Sequence, residues 1–282
     1  MLMKTTNLIL ALLFCALHSH SAQTEMRKDI EFAKPDGVSL TLDAWVPDGK
    51  GPFPTVIIVH GGGFARGDKQ TYVPPLFEPL TQAGFAWFTI NYRLHPQYRF
   101  PAPIEDVESA IRFVKEHAAE YKVDLNRVVL MGESAGGYLV SYVGVRNKSA
   151  IKLAAVVPFY GPHDWEQRAQ EEAEGKVGPS VWREMFSVPA GNSPEAVKRM
   201  REVSATSLIK KGLPPFLLIH GTADPQVNYQ QSVKMREKML AAGNVCDLIT
   251  VEGAGHGMVV ITKYPDTAPK MVAWLKEKLR LK

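Results

Sequence analysis

Cysteine is nearly absent: the 282 residues include two, Cys15 and Cys246. Cys15 falls in an N-terminal stretch that reads as a removable leader. The mature chain therefore forms no internal disulfide, and its fold must rest on its core. Cys246, in the strand-like run NVCDLITVE, reads as a buried and inert thiol. Long apolar runs are also missing; the longest, Leu8 to Leu17, is too short to span a bilayer comfortably. A formal net charge of +4 comes with no basic run and no interleaving of aromatic and basic residues, which argues against a nucleic-acid partner. No His/Glu/Cys cluster has ligand spacing, so no metal or cofactor is implied. Internal repeats and low-complexity tracts are absent too. What remains has the length and the ordinary apolar content of one large α/β domain.

The leader spans residues 1–22. Lys4 precedes the apolar run, and small and polar residues follow it, the pattern of a secretory signal peptide with cleavage after Ser21 or Ala22. Phe14 stands where a lipoprotein signal would want a small residue before Cys15, which argues against lipidation. The expectation is a secreted or periplasmic protein with no membrane association once the leader is gone. Residues 23–282 then form a single domain. The tripeptide Asn147-Lys148-Ser149 is a formal glycosylation acceptor.

Strand-like and helical stretches alternate along that domain. DIEFAKPDGVSLTLDAW reads as a hairpin turning at Asp36-Gly37, and PFPTVIIV and FAWFTINYRL read as buried strands. PAPIEDVESAIRFVKEHAAEY has helical spacing, with prolines at its entrance. Three more strands follow (IKLAAVVPFYG, LPPFLLIHG and NVCDLITVE), with helices between and after them. This alternation predicts an α/β fold with a mostly parallel sheet covered on both faces. Residues 162–207 break the rhythm, with many charges and no strand. A small helical insertion placed over the ligand crevice is expected there, with Ser193 capping a helix that starts at Pro194.

The chemistry concentrates at strand ends. Val128-Val129-Leu130-Met131 runs into Gly-Glu-Ser-Ala-Gly and then into a helical stretch, so Ser134 sits where a strained strand–turn–helix elbow would display it. A serine hydroxyl needs a base, and the base needs an orienting acid. Imidazole is the usual base, because its ordinary pKa near 6.5 leaves it neutral at physiological pH. Downstream, in the order serine, acid, histidine, lie Asp224 in TADPQV and His256 in AGHGMV, each on a loop after a strand. His220 ends the strand leading to Asp224 and reads as structural. Backbone N–H groups must also meet the oxyanion of a tetrahedral intermediate. His60-Gly-Gly-Gly-Phe64 follows the first long strand, so Gly62, Gly63 and Ala135 are the candidate donors. The glycine run lacks the Gly-Lys-Ser/Thr that a phosphate loop requires.

Together HGGGF, NYRL…FPAPIEDV, GESAGG, GTADPQV and GAGHG resemble the α/β-hydrolase superfamily. The resemblance is to its serine-esterase branch, which includes hormone-sensitive-lipase-like and bacterial acetyl-esterase or xylan-esterase-like enzymes. It covers nearly all of the mature chain. It implies the α/β-hydrolase fold, Ser134 as nucleophile, His256 as base, Asp224 as orienting acid, and the three backbone donors as oxyanion hole. Phe64, Glu133, Trp165, Trp182 and Phe186 are expected at the substrate. Two features depart from the family: no long helical N-terminal cap precedes the first strands, and Leu94-His95-Pro96-Gln97 stands where relatives often read Leu-Ala-Pro-Glu. The expected substrate is a small-molecule or carbohydrate ester with a short acyl group, acetyl first, in keeping with an exported enzyme acting on acetylated polysaccharide. Three alternatives stand beside it: an arylformamidase-like or prolyl-oligopeptidase-like amidase or peptidase, a long-chain lipase, and a non-catalytic binding protein that kept the fold.

Overall fold

The computed structural model describes residues 26–281, so the expected leader lies outside the described residues. The chain opens with β1 (Arg27–Ala33) and β2 (Leu40–Trp45), a hairpin about Asp36-Gly37, and continues into β3 (Phe53–Val59). Then α1 (Phe77–Gln82), β4 (Ala86–Ile90), α2 (Ala102–Glu116), β5 (Val123–Glu133), α3 (Ala135–Arg146) and β6 (Ala155–Phe159) alternate. The insertion holds α4 (Trp165–Ala173), α5 (Trp182–Met185) and α6 (Pro194–Val203). After it come β7 (Phe216–Gly221), α7 (Gln230–Ala241), β8 (Cys246–Val251), α8 (Val259–Thr262) and α9 (Thr267–Lys278). The strands form one sheet in the order β1-β2-β4-β3-β5-β6-β7-β8. Only the pairs β1–β2 and β2–β4 are antiparallel; from β4 to β8 every neighbour is parallel.

A parallel sheet covered on both faces needs strands that are apolar throughout, and β3 shows why the sequence supplies them. Its side chains alternate: Ile57 and Val59 join the core under α2, α3 and the insertion, while Val56 and Ile58 join the core under α1 and α9. Register then aligns the strand ends. Val59 pairs with Gly132, Glu133 with Phe159, and Gly221 with Val251, so the loops after β3, β5, β6, β7 and β8 leave from one edge.

Strand β5 is longer than its apolar run Val128–Met131 predicts. Val123 faces Phe53 and Val128 faces Thr55, so the four residues between bulge out of the ladder without ending the strand. Local signals set several ends, and Ser193 caps its helix as expected. Ser193 Oγ accepts the Ala196 N–H at 3.2 Å before α6, and Asp164 Oδ1 accepts the Gln167 N–H at 3.0 Å before α4. Asn147 closes α3 in the left-handed region, at φ 52° and ψ 46°. Cys246 is buried, and burial pushes its thiol up to about 12, which makes it a poor nucleophile.

Helix α3 lies close against the sheet. A Cβ on Gly132 would fall 2.6 Å from the Gly136 carbonyl oxygen, and one on Gly136 would strike the carbonyls of Val59 and His60. Gly132→Ala should therefore destabilise the fold by about 1–3 kcal/mol. A urea midpoint lowered at unchanged m-value is the expected result; an unchanged midpoint would show that α3 has room to retreat.

Candidate active site

Ser134 joins β5 to α3 at φ 52° and ψ −116°, a strained conformation for a residue with a Cβ. Its N–H donates to Phe159 O at 2.9 Å, and its own carbonyl accepts the Tyr138 N–H at 3.0 Å. The turn is thus tied to β6 behind and to α3 ahead, which aims the half-buried hydroxyl off the strand-end edge. There Ser134 Oγ lies 2.9 Å from His256 Nε2, and His256 Nδ1 lies 2.6 Å from Asp224 Oδ2. Ser134 and His256 are 122 residues apart in sequence and meet because β5 and β8 end on the same edge.

Asp224 is buried, and burial alone would raise its carboxyl pKa. Hydrogen bonds from His220 and His256, and the Val227 N–H, outweigh this and hold it well below the usual carboxylate range. Its Oδ1 accepts the N–H groups of Gln226 at 2.8 Å and Val227 at 2.9 Å, leaving Oδ2 for the histidines. An ionised Asp224 requires the hydrogen on His256 Nδ1, which frees Nε2 to accept a proton from Ser134. Tyr160, the first residue beyond β6, packs edge-on to the His256 ring at 4.7 Å and limits its rotation.

The glycine loop after β3 is stitched from beneath. The Gly61 carbonyl accepts from His60 Nδ1 at 2.8 Å and from the Tyr92 hydroxyl at 3.2 Å, and the His60 and Tyr92 rings stack at 4.4 Å. Burial lowers His60 to about 4, so it stays neutral. Gly61 N–H donates to Glu133 Oε1 at 2.5 Å, so it is already committed. The next two residues, Gly62 and Gly63, face the cavity opposite Ala135. Ala135 is the first residue of α3, so its N–H has no carbonyl of its own helix to bond. Gly62, Gly63 and Ala135 thus line the same cavity as Ser134.

A cavity of about 600 Å³ opens over these groups. The insertion contributes Trp165, Arg168 and Gly178–Ser180 to its wall, and the glycine loop after β3 contributes Phe64 and Arg66. Trp182 and Phe186, expected at the substrate, are not on the cavity wall. Trp182 stacks behind Trp165 at 5.2 Å, and Phe186 supports Phe64 edge-on at 5.5 Å. Glu133 lies at the cavity floor, but it is 3% exposed and holds the Gly61 N–H, so it supports the loop. The sequence reading passed over Arg66, Tyr72, Arg168, Ser180 and Gln226 on the wall. Of these, Gln226 had a signal, since it stands two residues after Asp224 on the same loop. Among the described residues no group of His, Cys, Asp or Glu could hold a metal ion, and no helix is long and apolar enough to cross a membrane.

The BD-FAE family profile matches residues 42–239, from β2 to α7. The chain belongs to the BD-FAE family. With it, the chain falls in the serine-esterase branch of the α/β-hydrolases, a group of carboxylic-ester hydrolases. It is 37% identical over 223 residues to carboxylesterase NlhH of Mycobacterium tuberculosis, across 76% of this chain and 69% of that one. It spans about half the length of several other curated esterases that it matches. Among solved structures, a truncated carbohydrate esterase from gut microbiota superposes with a TM-score of 0.78 at 25% identity, covering 91% of this chain and 97% of that one. A thermophilic esterase of Thermogutta terrifontis with propionate bound superposes at 0.70 and 26% identity, covering 90% and 92%.

Glu133 leads to a pH prediction. Burial pushes its carboxyl from the usual 4.5 up to about 7, against the pulls of His256, the Gly61 N–H and Tyr160. An unfolded glutamate ionises near 4.5, so between there and about 7 the unfolded chain releases a proton that the folded chain keeps. Glu133 therefore adds no penalty below that window, costs stability as pH rises through it, and costs no more above it. Melting temperatures of wild type and Glu133→Gln, taken across pH 4.5–8, should diverge through this window, with wild type falling relative to the variant. Parallel curves would mean that the carboxyl ionises as freely folded as unfolded.

Proposed function

We propose that this protein is a carboxylesterase acting through an acyl-enzyme on short acyl esters, acetyl first, carried by a carbohydrate-sized alcohol. The contact that carries the reading is Ser134 Oγ to His256 Nε2 at 2.9 Å, with Asp224 2.6 Å behind the imidazole. Ser134 Oγ attacks the ester carbonyl as its proton passes to His256 Nε2. The carbonyl oxygen, now negative, meets the N–H groups of Gly62, Gly63 and Ala135. Collapse breaks the bond to the alcohol, which leaves with the proton from His256. A water then repeats the sequence on the acyl-Ser134 ester, releasing the acid and restoring the serine.

The substrate class rests on further support. A cavity of about 600 Å³ is far larger than an acetyl group needs, and Arg66, Tyr72, Ser180 and Gln226 on its wall suit a polyhydroxylated alcohol. The gut-microbiota neighbour is a carbohydrate esterase, and the Thermogutta esterase was solved with propionate and with butyrate. Export, to the periplasm or beyond the cell, rests on the leader in residues 1–22.

Initial rates on p-nitrophenyl acetate, butyrate and octanoate, and acetate release from acetylated xylan, test this with wild type beside Ser134→Ala. Rates should fall steeply with chain length, and the substitution should lower kcat by about 10⁶-fold. A folded wild type that cleaves matched amides but no esters would replace the reading with an amidase. Ester hydrolysis that survives Ser134→Ala would remove Ser134 from the mechanism.

A further inference from the structure

The triad aspartate faces a second histidine. His220, the penultimate residue of β7, is fully buried. Its Nε2 lies 3.0 Å from Val227 O and 3.3 Å from Asp224 Oδ2, the same oxygen that His256 Nδ1 approaches at 2.6 Å. On the other side of the ring, Nδ1 lies 2.7 Å from Ser232 Oγ, near the start of α7. The partners decide the tautomer. A peptide carbonyl and a carboxylate only accept, so Nε2 carries hydrogen; a hydroxyl can donate, so Ser232 O–H points at Nδ1. That N–H is donated to the Val227 carbonyl, which closes the 224–227 turn, and Asp224 Oδ2 lies 3.3 Å from the same nitrogen. Other polar and titratable groups packed around this ring are Tyr160 beyond β6, edge-on at 6.4 Å, Tyr229 before α7, edge-on at 5.7 Å, and the buried His163. None of these holds the Asp224 carboxylate; His220 and His256 do.

We propose that His220 is a positioning residue for the reaction, fixing the Asp224 carboxylate so that His256 keeps the ring angle and tautomer that Ser134 needs. Without it, the Val227 carbonyl loses its donor and Oδ2 keeps only His256, so the turn that carries Asp224 is less firmly fixed. A carboxylate with fewer donors is also a stronger base and holds the proton on His256 more firmly. The inference rests on the esterase reading for its kinetic consequences but not for its geometry, and the test separates the two.

His220→Leu removes the donor, and His220→Gln offers an amide N–H near the position of Nε2. The first measurement needs no substrate: the proton bridging His256 and Asp224 gives a downfield imidazole resonance, identified by its loss in Asp224→Asn. It should shift in His220→Leu and return in His220→Gln. The second is kinetic. His220→Leu should lower kcat on p-nitrophenyl acetate by about 10–100-fold, with KM within about twofold. The acid limb of kcat/KM should move to higher pH, and His220→Gln should restore most of both. A His220→Leu variant with the wild-type resonance, kcat and acid limb overturns the proposal. So does a His220→Gln variant that melts like wild type yet is no better than leucine. If His220→Leu does not fold, Ser232→Ala decides: loss of the Nδ1 donor should shift the resonance and the acid limb in the same direction, and an unmoved pair overturns the proposal. A wild type that shows the resonance response but hydrolyses no ester would count against the esterase reading alone.

Discussion

A serine left to itself would vacate φ 52°, ψ −116°, the backbone position that Ser134 occupies. It stays because its neighbours cannot give way. The Ser134 N–H is fixed to β6, its carbonyl begins the hydrogen bonding of α3, and α3 is seated on the carbonyls of Val59 and His60 where Gly136 has no Cβ. The aim of the hydroxyl, the start of α3 at Ala135 and the position of the glycine loop after β3 all follow from that close seating. Strain of this kind, about 1–3 kcal/mol at one residue, persists only where packing around it over-determines the backbone. Here the packing is a parallel sheet buried on both faces.

The rest of the site is held at one remove. The loop that carries Gly62 and Gly63 to the cavity depends on Gly61, whose carbonyl is taken by His60 and Tyr92 and whose N–H is taken by Glu133. His256 depends in the same way on Asp224, and Asp224 on the Gln226 and Val227 N–H groups and on His220. In each case a buried polar group behind the site spends its hydrogen bond on orientation. His60, Glu133 and His220 sit on strand ends or the first residue beyond one, among the most rigid places the fold offers.

The same strand ends made much of the site legible. Ser134, Asp224 and His256 each follow an apolar run and stand among turn residues, so their place at one edge of the sheet could be read from the spacing of the chain. The order of strands and helices was equally open, because β-branched runs and helical spacing alternate without ambiguity. Trp182 and Phe186 were not readable in this way. An aromatic residue in a short helix such as α5 has the same local pattern whether it faces a ligand or another aromatic, and here both pack into the cluster behind Phe64 and Trp165. The link between His220 and Asp224 was hidden for a similar reason. Four residues separate them, but the contact depends on how the turn folds back, which no periodicity encodes.

The wiring of the site also has a temporal side. The elbow at Ser134 needs β3, β5, β6 and α3, all of which lie before residue 160, whereas the base arrives on the loop after β8, the last strand to be made. A growing or partly folded chain could therefore build the strained serine turn long before it holds an imidazole to activate it. Contacts separated by 122 residues close late, because so much chain must be ordered before they form. Docking of the edge strand β8 against β7 thus completes the sheet and brings in His256 together, so an assembled Ser134–His256 contact reports that the parallel half of the sheet has closed to its edge.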